Sequence, residues 1–382
     1  MRTLHPIGTT SPAPFIGRVC ANSALPEAAR AREVLLVGSG CDPLPPGFRG
    51  YLLDEPPPGT TVPRDTYLLG ESTRHLAHGD VIRLDPNRGA VSVHYRRASL
   101  SNALLVTERC DNFCVMCPQP PKPKDDPLLL EEIEEVIALI SPETRDLSIT
   151  GGEPALLGER LVQLVDTLRR HLPRTAIHLL SNGRRFADPA FAESLARVRH
   201  PDLMVGIPLY SDLPEEHDYV VQARGAFSET VRGILNLKRL RQRVEIRFVA
   251  HAETHERLPD FARFLARNLL FVDHVALMGL ELVGFARTNL DALWVDPLDY
   301  QGALLEAVEV LDRAGMSVSI YGHQLCVLDE RLHRFAVKAI SDWKNTYVEA
   351  CRACAKRGEC GGFFASASTR HSRGIRALPI DA

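Results

Sequence analysis

The chain lacks an uninterrupted run of ~18 apolar residues, the length a membrane-spanning helix needs. Residues 1–20 also lack a basic start followed by an apolar stretch, the pattern of a secretory signal. Charge of one sign is missing too. The net charge is −3 over 382 residues, with 45 Lys and Arg against 48 Asp and Glu, so no field points to a nucleic-acid partner. The densest basic stretch, Lys238-Arg-Leu-Arg-Gln-Arg243, falls on an expected helix and reads as its solvated face. No Gly-x-Gly-x-x-Gly completes the apolar run Glu33-Val-Leu-Leu-Val-Gly-Ser-Gly40. Pro43, Pro45 and Pro46 then block a helix, which removes a dinucleotide site. Neither an internal repeat beyond strand–helix alternation nor a low-complexity tract is present. The expectation is a soluble cytoplasmic protein of two or three domains, with neither membrane nor nucleic acid as partner.

Cysteine is what the chain does have. There are nine, and in a cytosolic protein they argue for metal rather than disulfides, because seven fall into two groups. Cys20 and Cys41 stand alone. The first group is Cys110-x₃-Cys114-x₂-Cys117, directly behind the apolar run Asn102–Thr107, so three thiolates crowd one loop at a strand end. Thiolates suit soft metals, which leaves zinc and iron–sulfur clusters as candidates. Structural zinc takes four ligands. The loop offers no fourth Cys or His, which favours a four-iron cluster with one iron open. Further along, the strand-like Leu147-Ser-Ile-Thr150 runs into Gly151-Gly152-Glu153-Pro154. The glycines let the main chain approach a neighbour closely, and Glu153 offers a carboxylate to an ammonium group. Taken alone, that segment reads equally well as a tight strand-to-helix turn.

The chain reads as three domains, 1–98, 99–293 and 294–382. The first is rich in Pro and Gly and carries a hairpin pattern from Gly79 to Tyr95, with alternating apolar residues around a Pro86-Asn-Arg-Gly89 turn. It reads as a small β-rich domain. From Ser101 to about Ala286 short apolar strands alternate with amphipathic helices: strands at Ala103–Thr107, Asp146–Thr150, Ala176–Leu180, Leu203–Leu209, Val244–Val249 and His274–Leu277. A helix at Arg160–Leu172 carries Leu161, Leu164, Val165, Leu168 and Leu172 at helical spacing. Six βα units imply α/β architecture with a parallel sheet. After Trp294 come a helix at roughly Pro297–Ala314, a strand at Met316–Tyr321, and the second cysteine group. That group is Cys326 and, beyond an expected helical linker, Cys351-Arg-Ala-Cys354-Ala-Lys-Arg-Gly-Glu-Cys360.

The cysteine triad and the Gly-Gly-Glu-Pro segment, in this order and distance, resemble those of the radical S-adenosylmethionine (SAM) enzymes. The resemblance implies a partial (β/α)6 barrel with its chemistry at the carboxyl ends of the strands. It also implies a [4Fe–4S] cluster on Cys110, Cys114 and Cys117 whose open iron binds SAM, and reductive cleavage of SAM to a 5′-deoxyadenosyl radical, with an external electron donor. By the same resemblance Gly151, Gly152 and Glu153 hold the methionine amine. Ser181-Asn182 and Tyr210-Ser211 meet SAM's ribose and carboxylate, though Ser and Asn are equally good turn residues. Alternation places Arg247 on one strand face with Glu245, where the pair either grips the SAM carboxylate or faces solvent. Glu281, after the sixth strand, either approaches SAM or substrate or caps a helix. No protein side chain is expected to act as the catalytic group. The residue before the third cysteine is usually aromatic in the family and packs near the adenine; here it is Met116, a thioether able to make similar soft contacts.

The second group resembles the auxiliary-cluster extensions called SPASM and twitch domains. Because the further cysteines of a full SPASM pattern are absent, a twitch-like domain with a second [4Fe–4S] cluster on Cys326, Cys351, Cys354 and Cys360 is the expectation. Four thiolates suit zinc equally well. Three further segments, Thr107-Glu-Arg-Cys110 through Gln119-Pro-Pro121, Ile340-Ser-Asp-Trp-Lys344 and Cys360-Gly-Gly-Phe-Phe364, are similar to those of the radical SAM maturases of the His-Xaa-Ser system. The partners this implies are a ribosomally made peptide or small protein with His-Xaa-Ser repeats and a sister radical SAM maturase. A radical SAM enzyme acting on a small molecule or nucleobase is the competing reading, and a non-catalytic protein with two zinc sites is a third.

Overall fold

The structure, a computed structural model, describes residues 2–37, 43–56, 62–123, 127–338, 345–368 and 370–379. Cys41 and the segment Ile340–Lys344 lie outside them. The chain divides into two compact units: Met1–Leu104 with Asp126–Leu147 and Thr167–Thr175, and Leu105–Asp125 with Ser148–Asp166 and Ala176–Ala382. No helix among the described residues is long and apolar enough to cross a membrane.

In the first unit the strands are β1 (Arg2–Thr3), β2 (His5–Ile7), β3 (Phe15–Cys20), β4 (Glu33–Val37), β5 (Gly50–Leu53), β6 (Thr66–Leu68), β7 (Val81–Asp85) and β8 (Ala90–Tyr95). They form one sheet in the order β1-β8-β7-β3-β4-β5-β6-β2. β7 and β8 make the expected antiparallel hairpin. Its turn closes on Gly89 at φ +54°, where a Cβ would lie 2.9 Å from Leu4 O; only glycine combines that φ with that approach. β3, β4, β5 and β6 pair in parallel. The connection from β3 to β4 holds a short 3₁₀ turn, Glu27–Arg32, in place of a crossover α-helix. The core gathers Val19, Val34, Leu52, Tyr67, Ile82 and Leu84, each at most 1% exposed. Helix α1 (Pro127–Ile137) buries Leu130, Ile133, Val136 and Ile137, a stripe at helical spacing. Arg83 Nε on β7 donates to Glu132 Oε1 of α1 at 2.8 Å.

The strands that follow are β9 (Asn102–Thr107), β10 (Asp146–Gly151), β11 (Ala176–Leu180), β12 (Leu203–Pro208), β13 (Arg243–Ala250), β14 (His274–Gly279), β15 (Val318–Tyr321) and β16 (Ala336–Val337). They form a single sheet in which every strand neighbours the one before it in sequence, and the pairings from β11 through β16 are parallel. The sequence implies six strands for the barrel and one more at Met316–Tyr321 beyond it; the structure places that one in the same sheet as β15 and adds β16, eight in all. A 3₁₀ turn, Glu330–Phe335, rather than an amphipathic helix lies between β15 and β16.

The helices are α2 (Glu159–His171), α3 (Pro189–Arg197), α4 (Pro214–Val221), α5 (Ala226–Arg239), α6 (Leu258–Asn268), α7 (Phe285–Thr288), α8 (Leu290–Leu293) and α9 (Gln301–Arg313). α2 buries the leucines and valine that predicted it and ends in Arg169, Arg170 and His171, cations suited to a helix carboxyl end. Burying one such side chain contributes about 1.5–3 kcal/mol. α3 starts on Asp188, whose side chain accepts from Ala190 N–H, followed by Pro189 at the first helical position. The basic stretch 238–243 spans the end of α5 and the start of β13 rather than one helix face, and is paired: Lys238 to Asp273, Arg239 to Glu193, Arg243 to Asp202. Between Cys326 and Cys351 the described residues contain a 3₁₀ turn (Glu330–Phe335) and β16, not the expected helical linker.

Candidate metal and cofactor site

β9 ends at Thr107 and leads into the loop that carries Cys110, Cys114 and Cys117. Its backbone is fixed from several elements. Phe113 N–H and Val115 N–H donate to Val221 O and Val220 O at the end of α4, each at 2.9 Å, and Phe285 N–H donates to Cys117 O at 2.8 Å. Asn289 Nδ2 donates to Val115 O at 2.8 Å. Burial pushes the Cys110 thiol up to about 12 and the Cys114 thiol higher, and the charge of neighbouring cysteines adds to both shifts; Cys117 rises through burial. The three sulfurs therefore lie within one another's electrostatic reach. Among the described residues no three His, Cys, Asp or Glu side chains are arranged to hold a single metal ion. The fit to an iron–sulfur cluster rests on the donor set: three adjacent soft thiols at a strand end, of a kind that deprotonates when a metal replaces the proton.

β10 lies against the entry to this loop. Gly152 N–H donates to Thr107 O at 2.9 Å and Glu153 N–H to Arg109 O at 2.7 Å. A Cβ would lie 2.4 Å from Thr107 O at Gly151 and 2.1 Å from Arg109 O at Gly152. The close approach that the two glycines permit is thus an approach to the cysteine loop itself. The Glu153 side chain is buried at 1% exposure. Its carboxylate accepts from Ala155 N–H at 2.8 Å, Ser181 Oγ at 2.7 Å and Asn182 N–H. Burial pushes this carboxyl up to about 7 against those three donors. Asn182 Nδ2 in turn donates to Asp111 Oδ1 at 2.6 Å. Glu153, Ser181 and Asn182 are therefore brought together, with much of their hydrogen-bonding capacity used on one another and on the loop.

Arg184, which sequence reasoning missed, completes this arrangement. Its Nη1 donates to Asp111 O at 2.9 Å and Asn112 Oδ1 at 2.8 Å and lies 3.2 Å from Asp111 Oδ2, while Nε donates to Glu229 Oε2 on α5 at 2.7 Å. The available signal was its place directly behind the Ser181-Asn182-Gly183 turn. α5 presses on that turn so closely that a Cβ at Gly233 would sit 2.1 Å from Gly183 O. Ser211 Oγ donates to Glu216 Oε2 at 2.7 Å and accepts from Leu213 N–H at 3.1 Å, at the start of α4. Met116 is buried in an apolar cluster with Tyr210, Val220 and Val221. Burial raises the Tyr210 hydroxyl well above its ordinary value, and nearby Cys114 and Cys117 raise it further.

Arg247 and Glu245 share a face of β13, as alternation requires, and are ion-paired at 2.7 Å. Arg247 Nη2 reaches Met278 Sδ at 3.3 Å. His274 Nδ1 is 2.8 Å from Glu245 Oε2, its Nε2 is 2.9 Å from Ser319 Oγ, and His178 Nε2 lies 3.4 Å from Glu245 Oε1. Burial opposes the charge on Glu245, but bonds to the two histidines and the Arg247 charge outweigh it and hold the carboxyl well below its usual range. Gly206 makes room for this network, since a Cβ there would lie 2.7 Å from His178 Nε2. The neighbouring β-strand residues were absent from the sequence reading because their partners come from four different strands.

Residues 104–265 match the model of the radical SAM superfamily. This stretch is a radical SAM domain. GTP 3′,8-cyclases of Brucella ovis and Brucella abortus are each 29% identical to the chain over 214 residues, which cover 54% of it and 58% of them. The chain thus spans less than two thirds of these curated relatives. Among solved structures, Streptococcus suis SuiB bound to S-adenosylmethionine aligns at 13% identity and TM-score 0.47, covering 62% of this chain and 53% of that one. anSMEcpe with bound AdoMet and Cp18Cys peptide aligns at 17% and 0.43, covering 57% and 62%.

Beyond the radical SAM domain, Cys326, Cys351, Cys354 and Cys360 line one cavity, together with Tyr347 and Arg376. Burial raises the Cys326 thiol, with Cys360 and Cys351 adding to the rise. Gly362 N–H donates to Cys360 Sγ at 3.4 Å. Tyr347 Oη donates to Cys360 O at 2.8 Å. Cys20 is buried in the first unit, apart from either group.

Proposed function

We propose that the protein is a radical SAM enzyme that modifies a ribosomally made peptide or small protein. The observation that carries this reading is the cysteine loop locked against Gly151–Glu153 inside the radical SAM domain. Cys110, Cys114 and Cys117 would hold a [4Fe–4S] cluster with one iron left for SAM. Bound there, cluster and SAM supply the electron and the sulfonium whose cleavage gives a 5′-deoxyadenosyl radical. The protein's part is placement. Arg184 and Asn182 hold the loop, Gly151 and Gly152 bring β10 against it, and Glu153 fixes the Ser181–Asn182 turn. Ser181, Asn182 and Ser211 border the SAM site, and Arg247 offers a guanidinium, held by Glu245, to an anionic group such as the SAM carboxylate.

Residues 294–382 serve as a twitch-like auxiliary domain, with a second [4Fe–4S] cluster on Cys326, Cys351, Cys354 and Cys360. Four thiols lining one cavity support that assignment. The substrate is a small protein bearing His-Xaa-Ser repeats, processed with a sister maturase in the cytoplasm and supplied with electrons by an external donor. The similarity of the segments Thr107–Pro121 and Cys360–Phe364 to those of the His-Xaa-Ser maturases supports it. A second reading, a nucleotide substrate, is favoured by the curated relatives, which are GTP 3′,8-cyclases.

Anaerobic reconstitution with iron counting, followed by incubation with SAM and dithionite, tests the reaction. Brown protein with about two clusters per chain and formation of 5′-deoxyadenosine is the expected result. Colourless, zinc-loaded protein refutes it. Adding a His-Xaa-Ser repeat protein in one arm and GTP in another separates the substrates: a mass change in the former supports the peptide reading, and consumption of GTP alone replaces it with the nucleotide one.

A further inference from the structure

We propose that residues 372–378 form a strap that supplies the outer hydrogen-bonded shell of the second cysteine site and raises the reduction potential of the cluster held there. The proposal rests on reading Cys326, Cys351, Cys354 and Cys360 as cluster ligands. Leu378 N–H donates to Cys354 Sγ at 3.4 Å, and Leu378 O accepts from Ala355 N–H at 3.0 Å. Arg376 and Leu378 line the cavity that the four cysteines share. One of the four thiols thus receives a main-chain donor from this short segment, which also walls the cavity that all four line.

The strap has little apolar burial to hold it. Within residues 370–379 only Ser372 is buried, and Arg373, Arg376 and Ala377 are exposed. Its anchor is polar. Ser372 Oγ donates to Asp296 Oδ1 at 2.6 Å and Arg373 N–H to Asp296 Oδ2 at 2.9 Å, and the Arg373 guanidinium pairs with Asp299. At Gly374 a Cβ would lie 2.7 Å from Leu298 Cδ1, so the strap runs tight against the turn that Asp296 begins. An anchored, largely exposed segment whose inward contacts are an N–H on the Cys354 thiol and a carbonyl on Ala355 N–H fits an outer shell better than a packing element. N–H donors to cluster sulfur stabilise the added negative charge of the reduced state and so raise the potential. The Arg376 charge at the same cavity acts in the same sense.

The test is redox titration of the reconstituted full-length holoenzyme, followed by electron paramagnetic resonance. Leu378→Pro removes the N–H donor, Leu378→Ala keeps it, and Asp296→Asn weakens the anchor. The expected result is a more negative midpoint for the second cluster in Leu378→Pro and Asp296→Asn, an unchanged midpoint in Leu378→Ala, and an unmoved first cluster in all three. Wild-type midpoints in both Leu378→Pro and Asp296→Asn, with two clusters' iron retained, overturn the strap alone. If Cys354→Ala removes no iron, the second cluster itself is wrong and the strap falls with it.

Discussion

Replacing Arg184 with Met should uncouple the cysteine loop from the turn after β11. The methionine keeps much of the apolar stem but none of the donors. Arg184 is only 17% exposed, and Asn112 beneath it is buried. Two charge-assisted bonds to the loop are lost, to Asp111 O and Asn112 Oδ1. The bond to the buried Asn112 contributes about 1.5 kcal/mol, because its loss leaves a shielded acceptor unpaired, and the bond to the exposed Asp111 O contributes about 0.5 kcal/mol. The ion pair to Asp111, a third exposed, adds less than about 1 kcal/mol. The loop is then about 2 kcal/mol harder to hold in its ligating shape, roughly thirtyfold in population. After anaerobic reconstitution the variant should retain only the second site's iron or release the first site's iron to EDTA roughly thirtyfold faster, and Arg184→Lys should recover part of the difference. Iron content and release rate equal to those of the parent would refute the clamp.

Gly152→Ala drives a Cβ into Arg109 O at 2.1 Å, so β10 must move off the loop, and cluster content should fall with about 1–3 kcal/mol of stability in a denaturant titration. Gly233→Ala meets Gly183 O at the same distance and should loosen the turn that carries Asn182 and Arg184, lowering the melting temperature and first-site iron together. Cys326→Ala should lower total iron while 5′-deoxyadenosine formation stays measurable; undiminished iron removes it from the ligand set. Glu245 has a folded carboxyl held below its ordinary value of 4.5, so the folded state binds fewer protons than the unfolded one. The stability it adds is present above about pH 4.5 and lost as pH falls below that value. Glu245→Gln should flatten that acid-side slope in denaturant titrations between pH 3 and 6, and an unchanged slope would assign it to other carboxylates.

Strand positions in the sheet were legible because each is a short apolar run bounded by turn residues; β11 falls on Ala176–Leu180 as read. β16 was not, since two residues carry no periodicity. The cysteine loop was legible as a motif. What held it was not: Asp111, the Asn182 and Arg184 of one turn, and Glu229 are polar residues from three segments whose meeting depends on α5 packing at Gly233. Glu153 shows the same limit. Its sequence context marks the residue but not its partners, and only the fold reveals that its carboxylate faces three internal donors. The strap had no sequence signal, because main-chain N–H groups look alike at every residue.

The strand order has a consequence for how the protein is made. Each strand from β9 to β16 sits beside its predecessor, so the sheet can grow at one edge as the chain leaves the ribosome, with no strand waiting for a distant partner to be synthesised. Cys110, Cys114 and Cys117 stand at the starting edge and Cys326 at the far one. The earlier thiols emerge, and their loop can close, while the later ones are still untranslated, so the two cysteine groups take shape one after the other.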